Sequence, residues 1–135
     1  MALSLTMTLA LAVSDADKDK RPKISVKANP SMAISPARVV ASADINGGAN
    51  DYEEFYCASI EWDWGDDTKS TNAADCDPYE AGKSEIKRRF TADHVYRQAG
   101  DFRIQFRLKK KDKSIAAAAT SVKIRPGLGD PGSLP

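Results

Sequence analysis

The stretch Ile60-Glu61-Trp62-Asp63-Trp64-Gly65-Asp66-Asp67 decides the fold. Its apolar side chains alternate with polar ones, continuing an alternation that begins at Tyr56, and the stretch ends in an acidic turn. Alternation with a period of two is typical of a β-strand with one buried face. The segment 101–109 has the same pattern, with one side formed by Phe102, Ile104, Phe106 and Leu108. Two strands with apolar faces need further sheet to pack against.

Other segments with the same alternation predict the rest of that sheet. Six or seven strands are predicted, and the six that can be placed lie at 22–30, 37–45, 54–64, 84–91, 101–109 and 114–124. Between them we interpret 31–36 as a connector, 46–51 and 110–113 as turns, 68–82 as a long inserted loop and 94–96 as a turn. The prolines that bound the first strand favour a sheet edge. Short strands and turns over about 100 residues predict an all-β fold, a two-sheet antiparallel immunoglobulin-like sandwich of about seven strands.

Composition limits the classes of function. The chain has 135 residues, of which 41% are hydrophobic, and this suffices for one domain with a core. The formal net charge of +1 gives no indication of nucleic acid as a partner. There is one histidine, and neither paired catalytic carboxylates nor metal-ligand spacing is evident. We therefore expect no enzymatic activity and no cofactor.

The N-terminus points to export. Residues 2–13 are uncharged and largely apolar, too few for the ~20 that span a bilayer, and they match the apolar region of a signal peptide. No Lys or Arg precedes them, and a buried N-terminal strand or helix is the alternative. The prediction is a signal peptide at 1–16, a charged leader at 17–21, the domain at 22–126 and a Pro/Gly-rich tail at 127–135. The mature chain is expected to be secreted or periplasmic, without membrane insertion.

The two cysteines agree with export. Cys57 and Cys76 flank the tryptophan strand and the loop after it, and they are the only cysteines of the chain. In an oxidising compartment a disulfide between them would tie that loop to its own strand, at about 3 kcal/mol by the loop-entropy model. Free thiols are the alternative, and reactive-cysteine chemistry would need His94 as its base.

Two separated motifs resemble those of the PKD (polycystic kidney disease) domain family. The first is Trp62-Asp63-Trp64-Gly65-Asp66-Asp67, and the second begins at His94-Val95-Tyr96 and runs through Gly100 into the strand at 101–109. The family hallmarks are Trp-Asp-Phe-Gly-Asp-Gly and a later His-Thr-Tyr. This chain departs from them at Trp64, Asp67, Val95 and Ala99, and its loop 68–83 is longer. The resemblance covers 22–126 and implies a non-catalytic spacer or binding module of extracellular proteins.

We therefore predict an exported, non-catalytic PKD-like module for binding, spacing or adhesion, with a protein or carbohydrate partner and a monomeric state. Its binding residues would lie in the loops 51–55 and 68–82, where Tyr52, Phe55 and Tyr79 are candidates for stacking on a sugar. The structural reading of His94 and Tyr96 is a corner that bonds to backbone before the following strand.

The alternative prediction is a ligand-binding protein for calcium or an anionic polysaccharide. Its calcium candidates are the turn carboxylates Asp63, Asp66 and Asp67. In the structural reading, Asp66 and Asp67 bond backbone N–H groups of the turn instead. Its polyanion candidates are Arg103, Arg107, Lys109, Lys110 and Lys111. In the structural reading, Glu61 and Asp63 lie beside Arg103 and Arg107 on a neighbouring strand and pair with them.

Overall fold

The computed structural model describes residues 20–128, which form two β-sheets packed face to face. The strands are β1 (Lys23–Asn29), β2 (Met32–Ile34), β3 (Ala37–Asn46), β4 (Ser59–Asp63), β5 (Lys69–Asn72), β6 (Arg89–Tyr96), β7 (Gly100–Lys110) and β8 (Lys113–Arg125). A single 3-10 turn, Glu53–Phe55, precedes β4 in this part of the chain. Within 20–128, no helix has the length and apolar character needed to cross a bilayer.

One sheet has the strand order β1-β3-β6 and the other has the order β2-β8-β7-β4-β5. Neighbouring strands are antiparallel except β2, which lies parallel to β8. The prediction of an all-β, two-sheet immunoglobulin-like sandwich is thus confirmed, with one parallel pair in place of a fully antiparallel arrangement. As the prolines indicated, β1 lies at a sheet edge.

The core lies between the inner faces of the two sheets. The inward side of β3 carries small residues, and that of β4 and β7 carries large ones, so the two faces can fill the space between them. Buried to 3% exposure or less are Val39, Ala41, Ala43, Ile45, Trp62, Trp64, Tyr96, Ile104, Phe106, Leu108, Val122 and Ile124. Each large apolar side chain buried in this way contributes roughly 1.5–3 kcal/mol.

Two segments predicted to be irregular are strands. The connector prediction for 31–36 was wrong at β2, where three residues pair with the end of β8. The loop prediction for 68–82 was wrong at β5, which pairs with β4 from Lys69 to Asn72. All four β5 side chains are exposed, so this strand has no alternating pattern that a sequence could reveal.

The strands on either side of the acidic turn also differ from prediction. The third strand was predicted to start at 54, but β4 starts at Ser59, because the 3-10 turn and the left-handed Cys57 (φ 56°) interrupt the extended chain. The predicted strand 84–91 is shifted, since β6 begins at Arg89 and continues through the motif His94-Val95-Tyr96. The turn predicted at 94–96 was therefore wrong, and the motif is the end of a strand.

The chain enters and leaves the sandwich at opposite ends of β3. Lys23, the first residue of β1, pairs with Asn46 at the end of β3. Arg125, the last residue of β8, pairs with Ile34, three residues before β3 begins at Ala37. The predicted signal peptide and most of the leader and the tail lie outside the described residues.

The described parts of the leader and tail are packed against the domain. The Arg21 guanidinium donates to Tyr52, Glu54 and the Ile115 carbonyl oxygen. At the other end, Gly127 is buried and its N–H donates to Ser35 Oγ at 3.1 Å. Arg21, predicted to be in a solvated leader, and Gly127, predicted to be in a linker-like tail, are therefore part of the folded unit.

Candidate functional site

The two motifs that resemble the PKD family meet in the core. Trp64 stacks on Trp62 with ring centroids 5.7 Å apart and on His94 at 4.9 Å. Tyr96 meets His94 edge-on at 4.8 Å and stacks on Phe102 at 4.5 Å. The result is one continuous row of rings that joins β4, β6 and β7, and such aromatic pairs add about 0.5–1.5 kcal/mol each beyond their burial.

Hydrogen bonds connect the same two motifs. The buried Tyr96 hydroxyl donates to the Trp64 carbonyl oxygen at 2.6 Å, and the Trp64 indole N–H donates to Ser70 Oγ at 2.9 Å. His94 Nε2 lies 2.6 Å from Asp66 Oδ2. Tyr96 thus bonds to backbone as the structural reading expects, whereas His94 bonds to a side-chain carboxylate, and both residues lie in a strand.

The acidic turn is held by its own carboxylates. Asp63 Oδ1 accepts a bond from the Gly65 N–H at 3.0 Å, and Asp66 Oδ1 accepts from the Thr68 N–H at 3.2 Å and from the Thr68 hydroxyl. The third calcium candidate, Asp67, is exposed in a left-handed conformation (φ 66°). Within 20–128, no three His, Cys, Asp or Glu side chains are grouped so that they could hold a metal ion. Asp66 thus caps the turn as predicted, and the second capping carboxylate is Asp63, where Asp67 was predicted.

Two ionisable groups of this cluster have shifted pKa values. Burial disfavours the charged form of Asp66, but the hydrogen bonds from Thr68 and His94 outweigh burial and place the pKa of Asp66 below its ordinary value. Burial, together with the nearby Asp66 and Asp63 charges, raises the pKa of Tyr96 well above its ordinary value. The phenol therefore stays neutral and remains a donor to Trp64.

Gly65 is required by the close approach of β7. Its φ is +81°, and a Cβ at this position would lie 2.6 Å from the Arg103 carbonyl oxygen. Both the positive φ of Gly65 and the backbone of Arg103 in β7 exclude a side chain at this position. This explains why the acidic turn can fold tightly against the strand that follows the second motif.

The predicted disulfide is present between Cys57 and Cys76, with the Cα atoms 5.9 Å apart. The loop after it is fixed by further bonds, in which the Tyr56 hydroxyl donates to the Asp77 carbonyl oxygen at 2.6 Å and the Gly82 N–H donates to Asp51 Oδ2 at 2.8 Å. The Tyr79 hydroxyl donates to the Asp51 carbonyl oxygen. The segment 76–82, which follows β5, is therefore held against residues 51–57.

The aromatic residues suggested as sugar platforms are held within the domain. Phe55 is buried, with the Arg21 guanidinium 5.3 Å from its ring centroid. Tyr52 packs edge-on against Phe55 at 5.0 Å, and its hydroxyl bonds to Glu54. Tyr79 packs against Tyr56 at 5.4 Å. Phe55 is therefore withdrawn from solvent, whereas Tyr52 and Tyr79 are part-buried.

A groove of about 320 Å³ lies between the disulfide loop and the segment that leads into β6. Its apolar lining includes Phe55, Ala58, Ile60 and Phe90, and its polar lining includes Asn72, Asp75, Glu85 and Lys87. The predicted loops 51–55 and 68–82 each contribute to this groove. Ile60 of the larger sheet and Phe90 of the smaller sheet both line the groove.

The basic residues of β7 are mostly occupied by protein partners. Arg107 Nη1 lies 3.3 Å from Glu61 and 3.8 Å from Asp63, and Lys109 Nζ lies 3.7 Å from Glu61. Lys110 donates to the Glu53 carbonyl oxygen at 2.7 Å. The predicted pairing of Glu61 and Asp63 with β7 thus involves Arg107.

The remaining two polyanion candidates lie apart from that cluster. The register places Arg107 opposite Glu61 and Gln105 opposite Asp63, so Arg103 lies past the end of β4. Lys111 is exposed in the β7–β8 turn, with a left-handed φ of 50°. A continuous unpaired stripe is therefore not formed by these five residues.

No family model matches the chain, and no curated protein matches it. Among solved structures, the chain is similar to the CARDB domain of a Pyrococcus furiosus protein, whose structure was determined in complex with di-metal ions. The two chains are 12% identical, the match covers 78% of this chain and 94% of that one, and the TM-score is 0.46.

Proposed function

We propose that this chain is a non-catalytic, PKD-like module of an exported protein, and that it spaces the parts joined to its two ends while offering a groove for binding. The observation that carries the proposal is that Lys23, where the chain enters the domain, and Arg125, where it leaves, lie at opposite ends of β3. Ten residues of extended chain separate them by about 30 Å.

Both ends are fixed, as a rigid spacer requires. At the entry, the Lys20 carbonyl oxygen accepts a bond from the Ala49 N–H at 2.9 Å, and Arg21 bonds to three partners. At the exit, the Ser35 N–H donates to the Arg125 carbonyl oxygen at 3.0 Å. A Cβ on Gly127 would lie 2.0 Å from the Ser35 carbonyl oxygen, so this close approach needs glycine. Force or torque applied at either end would reach the sheets directly.

The PKD-like and exported character rests on two further observations. The two motifs of the resemblance come together through the Tyr96–Trp64 and His94–Asp66 contacts, 32 and 28 residues apart in the chain. The Cys57–Cys76 bond is of a kind that persists in oxidising compartments such as the periplasm or the extracellular space.

The arrangement around the histidine supports a non-catalytic role. Thr68 Oγ1 lies 3.4 Å from His94 Nε2, and that same nitrogen faces Asp66 at 2.6 Å. In a nucleophilic triad the base uses one ring nitrogen toward the hydroxyl and the other toward the carboxylate. Here the carboxylate and the hydroxyl compete for one nitrogen, which is the geometry of a structural cluster.

The proposal is tested by a distance measurement between the two ends. A noncanonical residue with a ketone group is introduced in place of Lys20 and of Leu128, and a spin label is attached to each ketone. This labelling leaves the disulfide intact. Pulsed electron resonance should give one narrow distribution centred at about 30–40 Å, given the length of β3. A broad distribution, or ends closer than half that distance, would contradict a spacer. Calorimetric titration with calcium and anionic polysaccharides tests the alternative function on the same protein.

A further inference from the structure

Two surfaces at opposite ends of the sandwich combine exposed apolar side chains with charges of opposite sign, and we propose that copies of this chain associate head to tail through them. The receiving surface is the groove beside the disulfide loop. The inserting surface is the outer face of β2 with the adjoining end of β8. This self-association goes beyond the spacer role. The self-association does not depend on the spacer role.

The receiving groove combines an apolar floor with an acidic rim. The floor is formed by Phe55, Ile60 and Phe90, and the exposed rim carries Asp75 and Glu85. Neither rim carboxylate has an ion pair or a side-chain hydrogen bond within 20–128. The one cation of the lining is Lys87, whose Nζ lies 5.0 Å from the Phe90 ring centroid.

The inserting surface combines exposed apolar side chains with cations. In β2, Met32 is 53% exposed and Ile34 is 63% exposed. The register pairs them with Lys123 and Arg125 of β8, so all four lie on the outer face of the same sheet. The fully exposed Leu128 follows Gly127, whose Cβ position would lie 3.4 Å from Ile34 Cγ2, so Leu128 extends this apolar surface.

Each surface also has one charge of the sign opposite to its flanking charges, and this sign differs between the two surfaces. Asp101 on β7 is paired in register with Lys123 and is the acid beside the inserting surface, whereas Lys87 is the cation in the receiving groove. An apolar surface flanked by cations therefore meets an apolar groove flanked by acids. This complementarity favours a second copy of the chain over a partner of unrelated chemistry.

The positions of the two surfaces determine the kind of assembly. Ile60 pairs with Leu108 and Phe90 pairs with Ala43, so the groove lies toward the end of β3 where the chain enters. The inserting surface lies at the end where the chain leaves. Since each copy uses two different surfaces, the contact is heterologous and can propagate from copy to copy. A surface built around three exposed apolar side chains is small, so we expect weak, concentration-dependent association with the monomer prevailing in dilute solution.

Sedimentation equilibrium over a range of protein concentrations tests this proposal. The average mass of the wild type should rise with concentration, and the rise should weaken in high salt because the charges are screened. Ile34→Asp should remain monomeric, and so should the charge reversal of the rim, Asp75→Lys with Glu85→Lys. The urea midpoint of each variant should stay near that of the wild type, since all three side chains are exposed.

Two further experiments use the heterologous geometry. Mixing Ile34→Asp with the rim variant leaves one intact groove and one intact inserting surface, so the mixture should form dimers and stop there. A chain that combines the rim reversal with Lys123→Glu and Arg125→Glu should regain association. A wild type that stays monomeric at every concentration up to the millimolar range would overturn the proposal, as would undiminished association of Ile34→Asp.

Discussion

The Tyr96 hydroxyl donates a 2.6 Å hydrogen bond to the Trp64 carbonyl oxygen and so joins β6 of one sheet to the end of β4 in the other. Tyr96→Phe removes this donor within the buried core and changes the side-chain volume little. We expect the free energy of unfolding to fall by about 1–3 kcal/mol in urea titration.

The matched control is Tyr79→Phe. The Tyr79 hydroxyl also donates to a carbonyl oxygen, that of Asp51, but this bond lies in the loop that follows Cys76. Water can reach this position, so the loss should be under about 1 kcal/mol. Equal losses in the free energy of unfolding of the two variants would show that the Tyr96–Trp64 bond between the sheets stabilises the fold no more than the Tyr79–Asp51 bond does.

Asp66 should make the stability depend on pH in the acid range. Because the folded pKa lies below its unfolded value of about 3.9, the contribution is present above about pH 4 and is lost as the pH falls through the folded pKa. Asp66→Asn should lower stability at neutral pH and flatten the acid slope of the urea midpoint. Asp67→Asn, in the exposed neighbour that already has a left-handed backbone, should keep the wild-type slope. An unchanged slope in Asp66→Asn would contradict this assignment.

Gly65→Ala should be among the most damaging single substitutions in the chain. The new Cβ would meet the Arg103 backbone at 2.6 Å, in addition to the cost of a positive φ. Gly82→Ala is the control, since its φ is +78° and no atom lies within 4 Å of the Cβ position. Both variants lose about 1–2 kcal/mol from the backbone conformation, and Gly65→Ala should lose at least about 2 kcal/mol more. Similar thermal midpoints for the two variants would contradict the close approach of β7.

Glu61 is the shared acid of three cations on the outer face of the larger sheet. Arg107, Lys109 and Lys69 have nitrogens 3.3, 3.7 and 3.9 Å from its carboxylate, and its side chain is 10% exposed. Glu61→Gln should cost about 1–3 kcal/mol in low salt, and less in high salt because repulsion among the cations is screened. Glu80→Gln, which breaks an exposed pair with Lys83, should cost at most about 0.5 kcal/mol. Equal effects of Glu61→Gln and Glu80→Gln on stability would contradict the role of Glu61 as the shared acid of three cations.

The sequence predicted the strands that have one buried and one exposed face. Alternation locates β1, β3, β7 and β8 closely, including the alanine run of β8, since packing imposes it on each of these segments. In β5 all four side chains are exposed, and β2 has three residues, so neither carries such a signal. In β6 the inward positions include Ala92 and His94 beside Phe90 and Tyr96, and this mixed polarity resembles a turn.

The site was predictable where it depends on neighbouring strands and hidden where it depends on both sheets. The disulfide follows from the chain having two cysteines and the features of an exported protein, and the pairing of Glu61 and Asp63 with Arg107 follows from strand order. The groove requires Ile60 of one sheet and Phe90 of the other to lie at the same open end. Strand alternation gives no information on the distance between Ile60 and Phe90, because it does not specify how the two sheets are offset.

The central claim is that the two sheets close around the tryptophans of the acidic motif, and exchange of the two indole N–H protons tests it most directly. Trp64 is 0% exposed with its indole N–H bonded to Ser70, and Trp62 is 1% exposed. In deuterated buffer, nuclear magnetic resonance should show both indole signals exchanging only through global unfolding, with the free energy found by urea titration. Loss of either signal within the dead time of the experiment would contradict the account.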